Sequence, residues 1–312
     1  MNHFMIFLIT ALVGTIMSLC SNSWWMGWLG MEMNLLGFIM LLINNSDNES
    51  ALKYFVVQSL GSVMLMSSSF LSENFSMKSI QVLINMSLLL KLGAAPLHFW
   101  LPVIMENLSK YQLTFLLTWQ KLAPLYLLFS LSSTKMNMLF IVSSLMLGAV
   151  GSINELRMFM LLTYSSMNHT GWVILTLMSN EMMSFIYISI YSLMVISVLF
   201  PMHNKTSQSF WLLKGYHKWL MLLNLLSLGG LPPFTGFLMK WILLSEMYLI
   251  TSNLLNMMLM LTSVILIYFY LRVSINSFLS NSMEVSNINK VKTNNFTVFS
   301  MVNLFCLYLF LF

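Results

Sequence analysis

The chain has 312 residues, of which 58% are hydrophobic and only 7% charged, and its mean hydropathy is +0.82. Soluble domains carry about 25% charged residues, so this composition predicts an integral membrane protein and excludes a soluble catalytic domain. The net charge of +5 is spread over loops, and it is too sparse for a nucleic-acid-binding surface.

Apolar stretches of about 20 residues, the length that crosses a bilayer, recur along the whole chain. They predict an all-α polytopic membrane protein with about eleven transmembrane helices in one membrane domain, 1–312. The predicted helices cover residues 3–20, 24–44, 51–71, 79–104, 112–132, 137–154, 158–178, 183–201, 216–250, 254–277 and 295–312. The first is expected to be a retained span, since its N-terminal end carries no basic region.

Two of these segments do not fit one straight helix. Residues 216–250 would extend about 52 Å at 1.5 Å per residue, well beyond a hydrocarbon core of about 30 Å. This segment contains Gly229-Gly-Leu-Pro-Pro233, and the segment 79–104 contains Gly93, Pro96 and Pro102. Proline removes a backbone donor and clashes with the preceding helical turn. Helices 4 and 9 are therefore predicted to be discontinuous.

The distribution of loop cations favours counting each broken helix as one span. One membrane face then receives Lys110, Arg157, Lys205, Lys214, Lys218, Arg272, Lys290 and Lys292, and the other receives Lys78 and Lys135. If 216–250 formed two spans, the cations would divide equally. The positive-inside rule favours the unequal distribution, which predicts that the N-terminus lies on the inner side, the matrix side in a mitochondrion.

The two breaks also indicate an internal repeat. Residues Leu89, Leu90, Leu92, Gly93 and Pro96 align with Leu225, Leu226, Leu228, Gly229 and Pro232. Each break falls in the fourth helix of a five-helix block, 1–132 or 137–277, and the helix 295–312 follows. An odd number of helices makes the two copies inverted in the membrane, as in many transporters. In this alignment Lys91 corresponds to Ser227, and the lysine of the second copy, Lys240, follows the break.

Four charged residues lie inside the predicted spans: Glu32, Lys91, Lys121 and Lys240. A charge at the centre of a membrane helix costs about 2.5–3.5 kcal/mol, and one carboxylate cannot neutralise three lysines. Loss of hydration disfavours the charged form of lysine, which suits these residues to proton transfer. The hypothesis is a proton path, and the alternative is a set of structural ion pairs.

Two histidines inside the predicted spans, His98 and His169, are further candidates. Histidine titrates near neutral pH, so either residue could relay protons between the lysines. Each could equally be a hydrogen-bonded histidine of the core.

Five long motifs surround these residues. They are Met31-Glu-Met-Asn-Leu-Leu-Gly-Phe-Ile39, Lys91-Leu-Gly-Ala-Ala-Pro-Leu-His-Phe-Trp-Leu-Pro102, Leu117-Thr-Trp-Gln-Lys-Leu-Ala-Pro124, Tyr164-Ser-Ser-Met-Asn-His-Thr-Gly-Trp172 and Leu226-Ser-Leu-Gly-Gly-Leu-Pro-Pro-Phe-Thr-Gly-Phe-Leu-Met-Lys-Trp241. From the first helix to about Leu271, the chain closely resembles the NADH–ubiquinone oxidoreductase chain 2 family, antiporter-like membrane subunits of respiratory complex I.

The resemblance implies a mitochondrially encoded, multi-pass protein of the inner mitochondrial membrane that lacks the three N-terminal helices of bacterial relatives. It implies proton translocation driven by electron transfer from NADH to ubiquinone elsewhere in the complex. The residues that match the family's proton-channel positions are Glu32, Lys91, Lys121 and Lys240. His98 and His169 match histidines near the same hydrated axis.

The resemblance also carries expectations about cofactors and partners. No flavin, iron–sulfur cluster or quinone site is expected in this chain, and NADH, FMN, iron–sulfur clusters and ubiquinone would serve the whole complex. The expected partners are other membrane-arm and accessory subunits and the lipid bilayer, including cardiolipin. One motif departs from the family, which usually has an adjacent Arg-Lys pair where this chain has Met158-Phe-Met160.

Two alternatives come from other classes of protein. A cation/proton antiporter subunit would share this architecture, but the sequence shows no cluster of acidic ion-binding residues. A structural membrane scaffold would tolerate neutral residues at Lys91 and Lys240 without loss of proton flux.

Overall fold

The computed structural model describes residues 2–43, 48–74, 78–131, 134–155, 157–177, 181–201, 216–248 and 252–279. All regular structure within these residues is helical. The α-helices are α1 Asn2–Leu19, α2 Trp24–Ile43, α3 Asn48–Asn74, α4 Lys78–Leu92, α5 Trp100–Met105, α6 Lys110–Leu117, α7 Leu122–Phe129, α8 Thr134–Ile153, α9 Met158–Thr176, α10 Glu181–Leu199, α11 Tyr216–Gly229, α12 Thr235–Met247 and α13 Asn253–Leu279. The predicted C-terminal helix 295–312 lies outside the described residues.

The chain divides into two compact units, Met1–Ser144 and Leu145–Phe312. The division falls inside α8, whereas the sequence places the boundary of the repeats before that helix. Within the described ranges, four helices are long and apolar enough to cross a membrane by length and composition: Trp24–Ile43, Asn48–Ser72, Met182–Leu199 and Asn253–Asn276. The count of eleven spans and the inverted repeat stay predictions.

The break in helix 4 is confirmed, and glycine is the reason that it forms where it does. Helix α4 ends at Leu92 and α5 begins at Trp100. Gly93 has a φ of +69°, a conformation that is strained for residues with a Cβ. Its amide donates to the carbonyl of Leu90, and the amide of Ala94 donates to the carbonyl of Leu89. This pair of bonds is the Schellman motif, which satisfies carbonyls at a helix end.

The break in helix 9 is confirmed too, and it ends in the same motif. Gly230 has a φ of +86°. Its amide donates to the carbonyl of Ser227, and the amide of Leu231 donates to the carbonyl of Leu226. The half-helices α11 and α12 have 14 and 13 residues. At 1.5 Å per residue each extends about 20 Å, so neither crosses a bilayer core of about 30 Å alone.

The shared motif corrects the sequence alignment of the two breaks by one residue. The left-handed glycine of the second break is Gly230 and not Gly229, so Gly93 corresponds to Gly230 and Pro96 to Pro233. The residue that occupies the position of Lys91 is then Leu228 instead of Ser227. Sequence identities alone favoured the other register, because both Gly229 and Gly230 can be aligned with Gly93 and the alignment with Gly229 matches more of the neighbouring leucines.

A third interruption was not predicted, since residues 112–132 were expected to form one continuous helix. Helix α6 ends at Leu117, a 3-10 segment covers Trp119–Lys121, and α7 begins at Leu122. The physical reason is Pro124, which has no amide hydrogen to donate to the carbonyl of Gln120 one turn earlier. The 3-10 turn puts Lys121 at the junction of two short helices.

Helices α1 and α2 cross closely because three glycines lie between their backbones. A Cβ added to Gly14 would lie 2.4 Å from the amide nitrogen of Asn34, and one on Gly30 would lie 2.6 Å from that of Ser18. A Cβ on Gly37 would lie 2.7 Å from the amide nitrogen of Ala11. Small residues permit such close approach of membrane helices. This crossing supports the helix that carries Glu32.

Candidate functional site

In the first unit, Lys91 and Glu32 form an ion pair. The Nζ atom of Lys91 lies 3.8 Å from Oε1 of Glu32, which is close enough for an ion pair but too long for a hydrogen bond. The side chain of Lys91 is 3% exposed and that of Glu32 is 25% exposed. Lys91 also lies in the last turn of α4, where the partial negative charge of the helix end stabilises a cation.

Helix α3 makes room for Lys91 and holds the backbone beside it. A Cβ on Gly61 would lie 3.1 Å from Cγ of Lys91, so the lysine stem packs against the space left by this glycine. One turn earlier on α3, Nε2 of Gln58 donates to the carbonyl of Lys91 at 3.3 Å. From the far side of the break, Nε1 of Trp100 donates to the carbonyl of Leu90 at 3.2 Å. The carbonyls at the end of α4 are thus hydrogen-bonded by side chains.

Lys91 and Lys121 line the same internal cavity. Its volume is about 20 Å³, enough for about one water molecule. The other side chains that line it are those of Met31, Asn34, Leu35, Tyr54, Gln58, Leu92, Trp100, Leu101, Leu116, Gln120, Ala123 and Pro124. The structure therefore brings together three of the predicted residues: Glu32 pairs with Lys91, and Lys91 shares a cavity with Lys121.

The 3-10 turn that carries Lys121 is attached to two other helices. Asn34 on α2 and Gln120 form a reciprocal amide pair, with both N···O distances 2.9 Å. On α1, Thr15 accepts a hydrogen bond from Nε1 of Trp119 at 3.0 Å. Lys121 itself is buried. The position of the turn that carries Lys121 thus depends on contacts from α1 and α2.

His98 lies in the segment that links α4 to α5 and is buried. Its Nδ1 lies 3.2 Å from the carbonyl oxygen of Pro96, and its ring stacks on Phe99 with 4.5 Å between centroids. It does not line the cavity shared by the two lysines. The structure therefore places His98 in the break between α4 and α5, outside the lining of that cavity.

In the second unit, Lys240 reaches back from α12 to the end of α11. Its Nζ donates to the carbonyl of Gly229 at 3.0 Å and lies 6.0 Å from the ring centroid of Trp172. A Cβ on Gly230 would lie 3.1 Å from this Nζ, so the glycine leaves space for the ammonium group. A Cβ on Gly236 would lie 1.9 Å from the carbonyl oxygen of Ser227. Gly236 thus lets α12 approach α11 closely, and Gly230 leaves room for Lys240 to cap the end of α11.

His169 is fully buried on α9, one turn before Trp172. Its Nδ1 lies 2.8 Å from the hydroxyl oxygen of Tyr187. The rings of Tyr187 and Tyr191 lie 5.9 Å and 4.8 Å from the histidine ring. The Nδ1 atom of this histidine is thus engaged by Tyr187.

Several residues of these sites were missed by sequence reasoning: Asn34, Gln58, Gly61, Gln120, Trp172 and Tyr187. Asn34 and Gln120 stand beside the predicted charges in the Met-Glu-Met-Asn and Trp-Gln-Lys segments, so an amide inside an apolar run was a usable signal. Nothing in the sequence singles out Gly61 or Tyr187, since their roles depend on which helices lie next to them. Within the described ranges, no group of three or more His, Cys, Asp or Glu residues could hold a metal ion.

Comparisons with known proteins support the helical membrane fold. The family model described as NADH:quinone oxidoreductase/Mrp antiporter, transmembrane, matches residues 21–267. The fold is similar to a chain of respiratory complex I from Thermus thermophilus, with a TM-score of 0.86, 20% identity, and coverage of 97% of this chain and 77% of that one. It is also similar to a chain of the Mrp complex from Dietzia, with a TM-score of 0.76, 14% identity, and coverage of 86% and 59%. The family model and the two similar folds define the class of this chain, which is an antiporter-like helical membrane subunit.

Relatives at higher identity narrow the class to one family. The chain is 38% identical to NADH-ubiquinone oxidoreductase chain 2 of Anopheles gambiae, over 93% of this chain and 90% of that one. It is 34% identical to the protein of the same name from Bos taurus, over 91% and 88%. The chain belongs to the NADH-ubiquinone oxidoreductase chain 2 family.

Proposed function

We propose that this chain is a core membrane-arm subunit of proton-pumping respiratory complex I, in the inner mitochondrial membrane. Its family membership supports the assignment. The observation that carries the mechanism is the cavity of the first unit, which is lined by two buried lysines, one of them paired with a carboxylate. A single buried lysine could have a structural role only, but two lysines that line one cavity form a pair of sites between which a proton can move.

The proposed proton carriers are Glu32, Lys91, Lys121 and Lys240, with His98 and His169 as relays. Electron transfer from NADH to ubiquinone takes place in other subunits and changes the field at Glu32 and Lys91. At 3.8 Å the attraction between these two charges is about 4 kcal/mol at an effective dielectric constant of 20. A change in the charge of Glu32 is therefore large enough to alter whether Lys91 keeps its proton.

Lys121 receives the proton through the cavity, and Lys240 serves the second unit. Lys240 donates to the carbonyl of Gly229, so its protonated form is held by the negative end of α11. Loss of the proton weakens that contact and frees a nitrogen that can accept the next proton. The arrangement into inverted five-helix repeats, with the N-terminus on the matrix side, belongs to the same proposal.

Other subunits and lipids complete the proposed assembly. Many apolar side chains are exposed on this chain, Val63 and Leu139 among them, and such surfaces are covered by lipid or protein in a membrane. Membrane-arm and accessory subunits and bilayer lipids, including cardiolipin, are the proposed occupants. The redox cofactors FMN and iron–sulfur clusters are assigned to other subunits.

The test is Lys121→Met in the assembled complex, reconstituted into vesicles. Proton translocation driven by NADH should fall by about 10²-fold, the lower range of what a positioned proton carrier contributes. The control is Lys53→Met, because Lys53 is half-exposed and pairs with Glu49 on the surface of α3. If the Lys121 variant assembles and pumps at the wild-type rate while the control does the same, the assignment of Lys121 is wrong.

A further inference from the structure

The amides of Asn34 and Gln120 hold the two sides of the lysine cavity together. Each side-chain nitrogen donates to the other's oxygen at 2.9 Å. The pair joins α2, two residues after Glu32, to the 3-10 turn, one residue before Lys121. A carboxamide has two N–H donors and two acceptor lone pairs. After the reciprocal bonds, each side chain therefore keeps one donor and one acceptor.

Both amides line the cavity that Lys91 and Lys121 share, and Gln58 is a third amide in the same wall. The cavity volume of about 20 Å³ accommodates about one water molecule, which needs two to four polar partners to be held there. The donors and acceptors that remain on the amide pair, together with the two lysines, supply that number.

An amide wall suits this position for a chemical reason. A protonated lysine only donates hydrogen bonds, so two protonated lysines cannot orient a water molecule between them for transfer. A carboxamide both donates and accepts, and it neither gains nor loses a proton near neutral pH. It can therefore orient the water for either direction of transfer without trapping the proton.

We propose that Asn34 and Gln120 are positioning residues that hold a water molecule between Lys91 and Lys121 and fix the turn that carries Lys121. The inference rests on the proposed proton-carrying function of these two lysines. It assigns to the amide pair the step between them. The pair acts through the water and the turn, and it carries no proton itself.

Loss of the pair should leave the turn folded, because a second contact holds it. Nε1 of Trp119 donates to Thr15 on α1 at 3.0 Å, and α7 packs against α1, α2 and α4. Variants of the amide pair are therefore expected to assemble, which makes their effect on pumping measurable.

The experiment uses three forms of the assembled complex in vesicles: Asn34→Gln, Gln120→Asn, and both changes together. The single variants make the pair one methylene too long or too short, whereas the double variant restores its total length. Pumping in each single variant should fall by about tenfold to 10²-fold, since a 1 Å misplacement of a reacting group can cost the larger factor. The double variant should recover most of the rate, and the KM for ubiquinone should stay unchanged in all three.

A purely structural role gives a different pattern, which a fourth form exposes. In Asn34→Leu with Gln120→Met, apolar groups of similar size replace both amides, so packing is kept while the cavity loses its polar wall. We expect normal assembly and quinone affinity with pumping as low as in the single variants. Wild-type pumping in this form, or a double amide variant as poor as the singles, would overturn the inference. The proposed function is tested separately by Lys121→Met, whose loss of pumping would stand in either case.

Discussion

Lys91 and Lys240 are both associated with the end of a first half-helix, but they come from opposite sides of the break. Lys91 belongs to the last turn of α4, whereas Lys240 comes from the helix after the break and donates to the last residue of α11. The sequence alone suggested that the two lysines lie on opposite sides of their breaks. In the structure each lysine is nevertheless associated with the C-terminal end of a first half-helix, Lys91 as a residue of its last turn and Lys240 through its hydrogen bond to Gly229. The helix dipole there stabilises a positive charge.

The left-handed glycine of the second break leads to a prediction for a single residue. Gly230→Ala places a Cβ at a φ of +86° and 3.1 Å from Nζ of Lys240. The left-handed conformation alone should cost about 1–2 kcal/mol, and the crowding should move Lys240 away from Gly229. We expect a lower thermal inactivation midpoint of the assembled complex and a lower pumping rate.

Gly229→Ala is the matched control for that change. Gly229 is the last residue of α11 and lacks a positive φ, and an added Cβ would meet one ring carbon of Tyr270 at 3.0 Å. Its effect should be the smaller of the two. Equal loss in both variants would contradict the importance of the backbone conformation at Gly230.

The contact between His169 and Tyr187 supports a second prediction at this scale. Tyr187→Phe removes the hydroxyl that lies 2.8 Å from Nδ1 inside a fully buried site. An unsatisfied buried polar atom costs about 1–3 kcal/mol, so the thermal midpoint of the assembled complex should fall. The control is Ser189→Ala, an exposed position on the same helix whose hydroxyl donates to the carbonyl of Ile186. It should leave the midpoint unchanged, and a fall there as large as in Tyr187→Phe would contradict the prediction.

At the scale of elements, helix interruptions position the charged groups. The breaks after α4 and α11 end in the same Schellman motif, and the interruption before α7 follows from Pro124. Each leaves backbone carbonyls that side chains can satisfy, and membranes tolerate such irregular backbone only where protein or water surrounds it. The interruptions therefore occur at the places where buried lysines need polar surroundings.

The close crossing of α1 and α2 predicts that a larger residue at Gly30 impairs assembly. Gly30→Ala would place a Cβ 2.6 Å from the backbone nitrogen of Ser18, so the helices must separate. Overpacking of this kind costs about 1–3 kcal/mol, and native gel electrophoresis should show less assembled complex. Gly27→Ala, on the same helix, meets mobile side-chain atoms of Leu127 and Ser21 and should assemble better. The reverse order would show that the crossing is not limited by backbone contact.

At the scale of the whole molecule, the chain consists of two units with different charged groups. Met1–Ser144 holds the Glu32–Lys91 pair and Lys121, and Leu145–Phe312 holds Lys240 and His169. The proposed function assigns proton carriers to both units, and combining variants tests whether protons pass through these carriers one after the other.

If protons pass through the units in series, blocking either one stops the same flow. The double variant Lys121→Met with Lys240→Met should then pump about as fast as the slower single variant. At independent sites, by contrast, the free-energy losses of the two changes would add. Vesicle pumping driven by NADH measures all three forms. If the units were instead two parallel paths, each single variant would lose only the flow through its own unit, and only the double variant would lose pumping altogether.

The sequence by itself determined the helical membrane class, the two glycine–proline breaks and the buried charges, because each is encoded locally. Apolar length defines a span, glycine and proline define a break, and a lysine inside an apolar run is visible in any register. The family followed from motifs that are long and continuous in the chain.

Only the tertiary structure decided which side chains meet. Asn34 and Gln120 are separated by 86 positions, and the partner of each depends on how helices rotate about their axes and how closely glycines let them approach. The same holds for the cavity between Lys91 and Lys121 and for the bond from Lys240 to Gly229. These contacts are set by the packing of whole helices, a property that no local pattern of residues contains.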